Sequence, residues 1–408
     1  VSSLRARSAV AALKVTNAAS RALGRGQGTV AGGRVGLRLD PGLLGALATG
    51  RELALVSGTN GKTTTTALLV AALGAEGEAV LSNSTGSNMP AGHVAALAAA
   101  PGILRGVLEV DEGYLGQVLE ATGARVVVLL NLSRDQLDRM SEVRMLAERW
   151  RTALAAAPSC AVVANADDPL VVFAAGSAAI PIWVAAGLAW REDAVGCPAC
   201  GGRICFEEGG WHCERCELAR PKPDWWLEGD LARSGDRLLP LRLALPGAFN
   251  RDNALLALAA AAQLGVDVEM AASAMGTVVD VGGRFVVTEL AGSPVRLMLA
   301  KNPAGWAALL DLVATAPAPV VVSINARTAD GLDPSWLWDV PFGRLAGRRV
   351  LATGERFRDL SVRLAYAGVE HTCAEDPLEA VRLAAAGAEG PVDVIGNYTA
   401  FHELLAER

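Results

Sequence analysis

Lys62 and Thr63 stand near the end of the run Gly58-Thr59-Asn60-Gly61-Lys62-Thr63-Thr64, and these residue types in this order suit the holding of phosphate. Glycines let a tight turn aim consecutive backbone N–H groups at one point, and a helix beginning there adds about half a positive charge. A lysine ammonium against the β/γ-phosphates and a threonine hydroxyl on Mg²⁺ complete such a cradle. Residues 59–64 are therefore the phosphate-binding candidates, with Thr63 as a Mg²⁺ ligand. Val56 stands where the strict eight-residue P-loop has glycine, so the loop is a variant form.

Two further sets could hold metal. Glu109, Asp111 and Glu112 follow the apolar pair Val107-Leu108. Carboxylates at the carboxyl end of a strand can hold the Mg²⁺ that bridges nucleotide phosphates. Period-two alternation sends Glu109 and Asp111 to one face, which makes Glu109 the second Mg²⁺ candidate; a solvated acidic loop is the alternative. Cys197 and Cys200 form one CxxC, and Cys213 and Cys216 form another twelve residues later. Four thiolates so spaced converge on Zn²⁺ at about 2.3 Å and leave no open position, so the zinc is expected to be structural. Cys205 and His212 are alternates inside the loop, and isolated Cys160 and Cys373 read as buried thiols.

Asn250 and Asn253, three apart at a helix start, each offer a donor and an acceptor suited to an adenine edge. An N-cap with a turn residue would serve equally. Residues 131–138 follow another strand and lie on the same rim. Farther on, Asp330, Asp333 and Asp339 share a turn-rich decapeptide with Trp336 and Trp338, either a partner-binding surface or a core anchor.

These residues need a scaffold. Apolar strands are predicted at 53–57, 107–110, 126–130 and 161–165, with helices at 63–73, 113–121 and 142–157 between them. That alternation predicts an α/β fold with a parallel, doubly wound sheet. A second α/β pattern, with strands at 320–324, 350–353 and 392–395, begins after Gly282-Gly283-Arg284. The expected organisation is an N-terminal helical or extended segment, 1–45, then a central domain, 46–283, with a cysteine-bearing insert at 195–220, and a C-terminal α/β domain, 284–408. Half of the residues are hydrophobic and a fifth charged, the balance of a packed globular protein. A net charge of −6 without basic–aromatic interleaving argues against a nucleic-acid partner. No apolar stretch is long enough to cross a membrane, and the basic segment 5–25 lacks the pattern of a signal peptide, so a cytoplasmic location is expected.

In this order the phosphate loop, Glu109-Val110-Asp111-Glu112, Asn250/Asn253 and Gly283-Arg284 resemble the Mur ligase superfamily, ATP-dependent enzymes that join an amine to a carboxylate. The four-cysteine insert, residues 134–139, Lys301-Asn302-Pro303-Ala304-Gly305 and the run 333–339 are most similar to its MurT-type branch. Ordinary Mur ligases carry histidine at Gln136 and begin with a uridine-nucleotide domain, for which the forty-odd residues before the loop are too few. The resemblance implies a P-loop Mur ligase central domain with an inserted four-cysteine zinc ribbon, followed by a Rossmann-like α/β domain. It implies ATP, Mg²⁺ and structural Zn²⁺ as cofactors, and a GatD-type glutamine amidotransferase subunit as partner in a heterodimer.

The implied reaction amidates the α-carboxyl of D-glutamate in the lipid II stem peptide. It would occur at the inner face of the membrane, with at most peripheral contact. Carried over by residue, Lys62 stabilises the transferring phosphoryl group, Thr63 and Glu109 bind Mg²⁺, and Asn250 and Asn253 face adenine. Arg284 is a further nucleotide-side residue, and residues 83–88 form the substrate-side loop. Asp333, with Asp339 as runner-up, reaches the partner's catalytic histidine, or either could contact ribose. A stand-alone ligase like folylpolyglutamate synthase is the alternative.

Overall fold

In the computed structural model, residues 3–22, 29–83, 87–134, 140–279, 281, 284–315 and 317–408 are described. The chain divides into two units, Val1–Leu132 with Ser141–Val279, and Ser133–Met140 with Asp280–Arg408.

In the first unit the order is α1 (Leu4–Ala22), α2 (Thr29–Leu39), α3 (Leu43–Ala48), β1 (Glu52–Ser57), α4 (Lys62–Leu73), β2 (Val80–Ser82), α5 (Pro90–Ala99) and β3 (Arg105–Glu109). Then follow α6 (Leu115–Thr122), β4 (Val126–Leu129), α7 (Met140–Ala155), β5 (Ala161–Asn165), α8 (Pro169–Ala175) and β6 (Ile180–Val184). These six strands form one parallel sheet in the order β2-β3-β1-β4-β5-β6. Its strands are near-continuous apolar runs because both faces are covered. Leu53, Leu55, Leu108, Val127, Leu129 and Val162 point into one core with α1, α3 and α5–α8. The insert contributes the hairpin β7 (Ile204–Glu207) and β8 (Gly210–Cys213), followed by an antiparallel meander of β9 (Trp226–Glu228), β10 (Leu231–Ser234) and β11 (Arg237–Pro240). Helices α9 (Ala248–Gln263) and α10 (Val268–Met275) pack with α4 on the sheet's other face.

The second unit holds β12 (Phe285–Leu290), β13 (Ser293–Leu299), α11 (Pro303–Ala314), β14 (Val320–Ser323), β15 (Val350–Thr353), α12 (Phe357–Tyr366), β16 (His371–Cys373), α13 (Pro377–Ala385), β17 (Val392–Gly396) and α14 (Tyr398–Ala406). Its sheet runs β12-β13-β17-β14-β15-β16, with only β12 antiparallel to its neighbour. Asp393 is fully buried on β17, where burial raises its carboxyl pKa and the opposing Arg296 guanidinium donates to both oxygens at 2.6 and 2.8 Å.

Helix α2 falls in the segment expected to be helical or extended and forms although it carries three glycines. A Cβ on Gly33 would lie 1.9 Å from the Ala91 carbonyl oxygen, so close helix packing overrides propensity there. Two other expectations need correction. Strand β3 stops at Glu109, and the Asp111 carboxylate accepts from Gly113 N–H at 3.1 Å to cap a 3₁₀ turn, so the alternation does not carry through to Asp111. Cys160 is buried as expected, but Cys373 is exposed because β16 is the edge of its sheet.

Candidate functional site

Strand β1 lies between β3 and β4, so the sheet changes direction at its carboxyl end, the place where open α/β sheets take ligands. The loop between β1 and α4 sits there. Gly58 has φ +148° and Gly61 φ +86°, backbone that side chains disfavour. Gly61 is the N-cap of α4 and brings no side-chain acceptor to the first-turn N–H groups. Those donors and the helix dipole make an anion site.

Asn131, just after β4, holds this loop in shape. Its carbonyl oxygen accepts from Thr59 N–H at 2.9 Å, its side-chain oxygen accepts from Asn60 N–H at 2.9 Å, and its amide donates to the Asn60 carbonyl at 3.0 Å. The next residue is fixed as well, since Leu132 N–H donates to the fully buried Asp168 carboxylate at 2.8 Å. The other oxygen of Asp168 caps α8 through Leu170 and Val171 N–H. Burial, opposed by these N–H groups, lifts the Asp168 pKa to about 6.

The Lys62 ammonium folds back over its own turn. It donates to the Gly58 carbonyl at 2.5 Å, to the Thr59 carbonyl at 3.2 Å and to the Glu112 carboxylate at 3.2 Å. Burial raises the Glu112 pKa, and the Lys62 charge opposes it. A phosphate entering the cradle would offer the ammonium a stronger acceptor than two neutral carbonyls.

Glu109 ends β3 in register with Val56, and alternation from Leu108 turns it toward the α4 face. Its main chain is gripped at both groups: Asn83 accepts from Glu109 N–H at 2.8 Å and donates to its carbonyl at 2.9 Å. Buried His93 donates from Nε2 to the same carbonyl at 2.8 Å, and burial lowers the His93 pKa. Among the described residues nothing engages the Glu109 carboxylate itself. That free carboxylate and the Thr63 hydroxyl at the helix start are oxygen donors of the kind Mg²⁺ takes.

Asn250 and Asn253 both fall inside the first turns of α9, whose N-cap is Gly247. The Asn250 amide donates to the Pro246 carbonyl at 2.6 Å, the turn role allowed by sequence. Asn253 lies against the phosphate loop, where a Cβ on Gly61 would stand 2.5 Å from its Oδ1.

The four cysteines meet as expected from their spacing. Their sulfurs all lie within 4.8 Å of one another, with Cys197–Cys216 at 3.6 Å and Cys200–Cys213 at 3.5 Å. Tetrahedral Zn–S bonds of about 2.3 Å would place sulfurs about 3.8 Å apart, so the donor set fits zinc. Gly202 and Arg215 N–H groups donate to the Cys200 and Cys213 sulfurs, both at 3.4 Å. Burial pushes the Cys197 thiol up to about 12. Cys205 and His212 face each other across the hairpin and are not part of the cluster. Trp211 on β8 ties the ribbon down by donating to the Ala166 carbonyl at 3.0 Å.

Arg284, Asp333 and Asp339 belong to the second unit. Asp333 is exposed and caps the 3₁₀ turn Pro334–Trp338 by accepting from Ser335 N–H at 2.9 Å. The Asp339 Oδ2 is buried without a hydrogen bond, 3.9 Å from the Arg134 guanidinium. Asp330 is occupied by Thr399, accepting from its N–H at 2.8 Å and its hydroxyl at 2.5 Å. The two tryptophans divide the readings left open by sequence: Trp336 stacks on buried Trp306, whereas Trp338 is 54% exposed beside Tyr366. Gln136, Gly283 and residues 84–86 of the substrate-side loop lie outside the described residues.

Sequence reasoning assigned no role to His93 or Asp168, gave Asn131 only a place on the rim, and read Asn83 as part of the substrate-side loop, whereas it grips the Glu109 backbone. The signal at Asn131 was an amide directly after a strand on the phosphate-loop rim.

A strand-to-helix loop with the geometry of an anion site stands at the sheet's switch point, with a carboxylate on the neighbouring strand, and over this region the Mur ligase middle domain matches residues 56–185, the class of ATP-dependent Mur-type ligases. The MurT ligase C-terminal domain matches residues 299–401. The chain is 30% identical to the lipid II isoglutaminyl synthase (glutamine-hydrolysing) subunit MurT of Streptococcus pneumoniae, covering 94% of this chain and 93% of that one. It is 29% identical to the Staphylococcus aureus (strain COL) subunit of the same name, covering 88% and 87%. The chain therefore belongs to the MurT family. Among solved structures, a pseudomurein peptide ligase type C from Methanothermus fervidus superposes with a TM-score of 0.66 at 21% identity, covering 87% of this chain and 78% of that one. Mycobacterium tuberculosis folylpolyglutamate synthase complexed with ADP gives 0.60 at 16% identity, covering 87% and 89%, a likeness of fold alone.

Proposed function

We propose that this chain activates the α-carboxyl of D-glutamate in the lipid II stem peptide with ATP, and that ammonia converts the activated group to D-isoglutamine. A carboxylate oxygen attacks the γ-phosphorus, the bond to ADP breaks, and an acyl phosphate forms. Ammonia then adds to the acyl carbon, loses a proton, and phosphate leaves with the former carboxylate oxygen. The observation that carries this reading is the junction of Lys62, the uncapped start of α4 and the free Glu109 carboxylate at adjacent strand ends.

On this reading the first-turn N–H groups and Lys62 receive phosphate oxygens and stabilise the charge gathering on them during transfer. Residues 59–64 wrap the phosphates, and Asn131 and Asp168 keep that wrap in place. Thr63 and Glu109 would hold Mg²⁺, which supplies charge neutralisation when bound. Asn83 and His93 fix the backbone that carries Glu109. Asn250 and Asn253 attend the rest of the nucleotide. The zinc ribbon holds its part of the first unit together and touches no reacting atom.

Ammonia comes from a GatD-type amidotransferase subunit. Leu332, next to Asp333 in the chain, is exposed, and so are Trp338 and Tyr366, which pack edge to face on each other in the second unit; exposed aromatics of this kind suit a protein partner. Asp333 is the aspartate free to reach that partner, because Asp330 is occupied and the Asp339 Oδ2 is buried. Work on a lipid-linked substrate places the reaction at the inner membrane face, and among the described residues no helix is long and apolar enough to cross a membrane.

The test is amidation by the purified chain. Alone, it should use ammonium and not glutamine. Adding the amidotransferase subunit should bring glutamine use, which Asp333→Asn should abolish while sparing ammonium use. Glutamine-dependent amidation by the single chain would refute the partnership.

A further inference from the structure

Charge is divided unevenly along this chain. Residues 1–39 contain seven Lys and Arg and no Asp or Glu, in a protein whose net charge is −6. Helix α1 buries Ala6, Ala9, Leu13 and Asn17. At about 100° per residue, Leu4, Arg7, Lys14 and Val15 gather on the opposite side. That side faces solvent: Leu4 is 81% and Val15 70% exposed, and they share it with two cations.

Beside it opens a cleft of about 420 Å³, with Arg7, Val10 and Lys14 on one wall and Arg51, Ile103 and Leu104 on another. Among the described residues no carboxylate lines the cleft. Leu104 at its edge is 64% exposed. Arg51 is fixed by donating from Nη2 to the Leu97 and Ala100 carbonyls at 3.1 and 2.9 Å, and its Nη1 has no hydrogen-bond partner among the described residues.

We propose that this face of α1, with the adjoining cleft, docks the protein on an anionic lipid bilayer. Cations interleaved with exposed apolar side chains match a phospholipid surface, where phosphates meet the cations and the apolar tips enter the acyl boundary. A nucleic acid would use the cations and leave Leu4, Val15 and Leu104 in water. The proposal goes beyond the reading of the phosphate loop and does not depend on it, because none of these residues belongs to that site.

Sedimentation of the full chain with vesicles tests it. Vesicles of one part phosphatidylglycerol to two parts phosphatidylcholine should retain the protein at low salt and release it at high salt, whereas pure phosphatidylcholine should not retain it. Each removed cation should weaken partitioning about fivefold, so Arg7→Gln/Lys14→Gln should lower it about 25-fold. Leu4→Ser/Val15→Ser should also lower it. Both pairs are surface changes, so an unchanged melting temperature should accompany the loss. Equal partitioning to both vesicle types would overturn the proposal. So would undiminished binding by the charge variant, or binding to heparin without binding to vesicles.

Discussion

Gly61→Ala probes the contact between the phosphate loop and α9, and its cost can be worked from the geometry. At φ +86° an L-residue costs about 1–2 kcal/mol. The new Cβ would also stand 2.5 Å from the Asn253 Oδ1 and 3.1 Å from its Cγ, so one element must shift. Overpacking of that kind costs about 1–3 kcal/mol. The single variant should therefore lose about 2–5 kcal/mol, read from urea unfolding of the nucleotide-free protein. Asn253→Ala removes the obstructing amide and leaves only the backbone penalty. In that background Gly61→Ala should cost about 1–2 kcal/mol, a coupling of about 1–3 kcal/mol between the two positions. ADP affinity should follow the same pattern, because the shifted loop is the one that wraps phosphate. A Gly61→Ala cost below about 0.5 kcal/mol, or one unchanged by Asn253→Ala, would refute the contact.

Elemental analysis should find about one zinc per chain, and Cys213→Ser should lower that content; a stably folded metal-free preparation would exclude the site. Asp168 makes a prediction about pH. Its folded pKa of about 6 lies above its ordinary value of 3.8, so the native state takes up a proton in the interval between them. The stability this provides is present below about pH 4 and is lost as pH rises through 6, a difference of about 3 kcal/mol. Asp168→Asn should remove that slope from stability measured across the interval; an unaltered slope would assign the titration to another group.

The parts legible in the sequence were those fixed by local pattern. Buried parallel strands such as β1 and β4 are unbroken apolar runs, and a Gly-Thr-Asn-Gly-Lys-Thr turn after one of them has few other uses. The cysteine ribbon was legible because ligand spacing is itself the geometry. What escaped depends on long-range packing. Asn131 reaches a loop 71 residues away, and Asp168 joins a helix cap to a loop 36 residues earlier. Neither partnership leaves a periodic trace. Edge strand β12 keeps all but its last residue exposed or half-buried and so lacks the buried apolar run that marks the inner strands. Lys62 was read as a phosphate ligand, but its three present acceptors come from the turn itself and from Glu112, which only the fold brings into reach.

The central claim is that phosphate is placed on the substrate carboxylate before nitrogen arrives. A stem-peptide substrate labelled with ¹⁸O in the D-glutamate α-carboxyl, turned over with ATP and ammonium, tests this directly. The account predicts one ¹⁸O in each phosphate released, because the carboxylate oxygen that attacked phosphorus departs with it. Phosphate carrying no ¹⁸O, released together with amidated product, would contradict it.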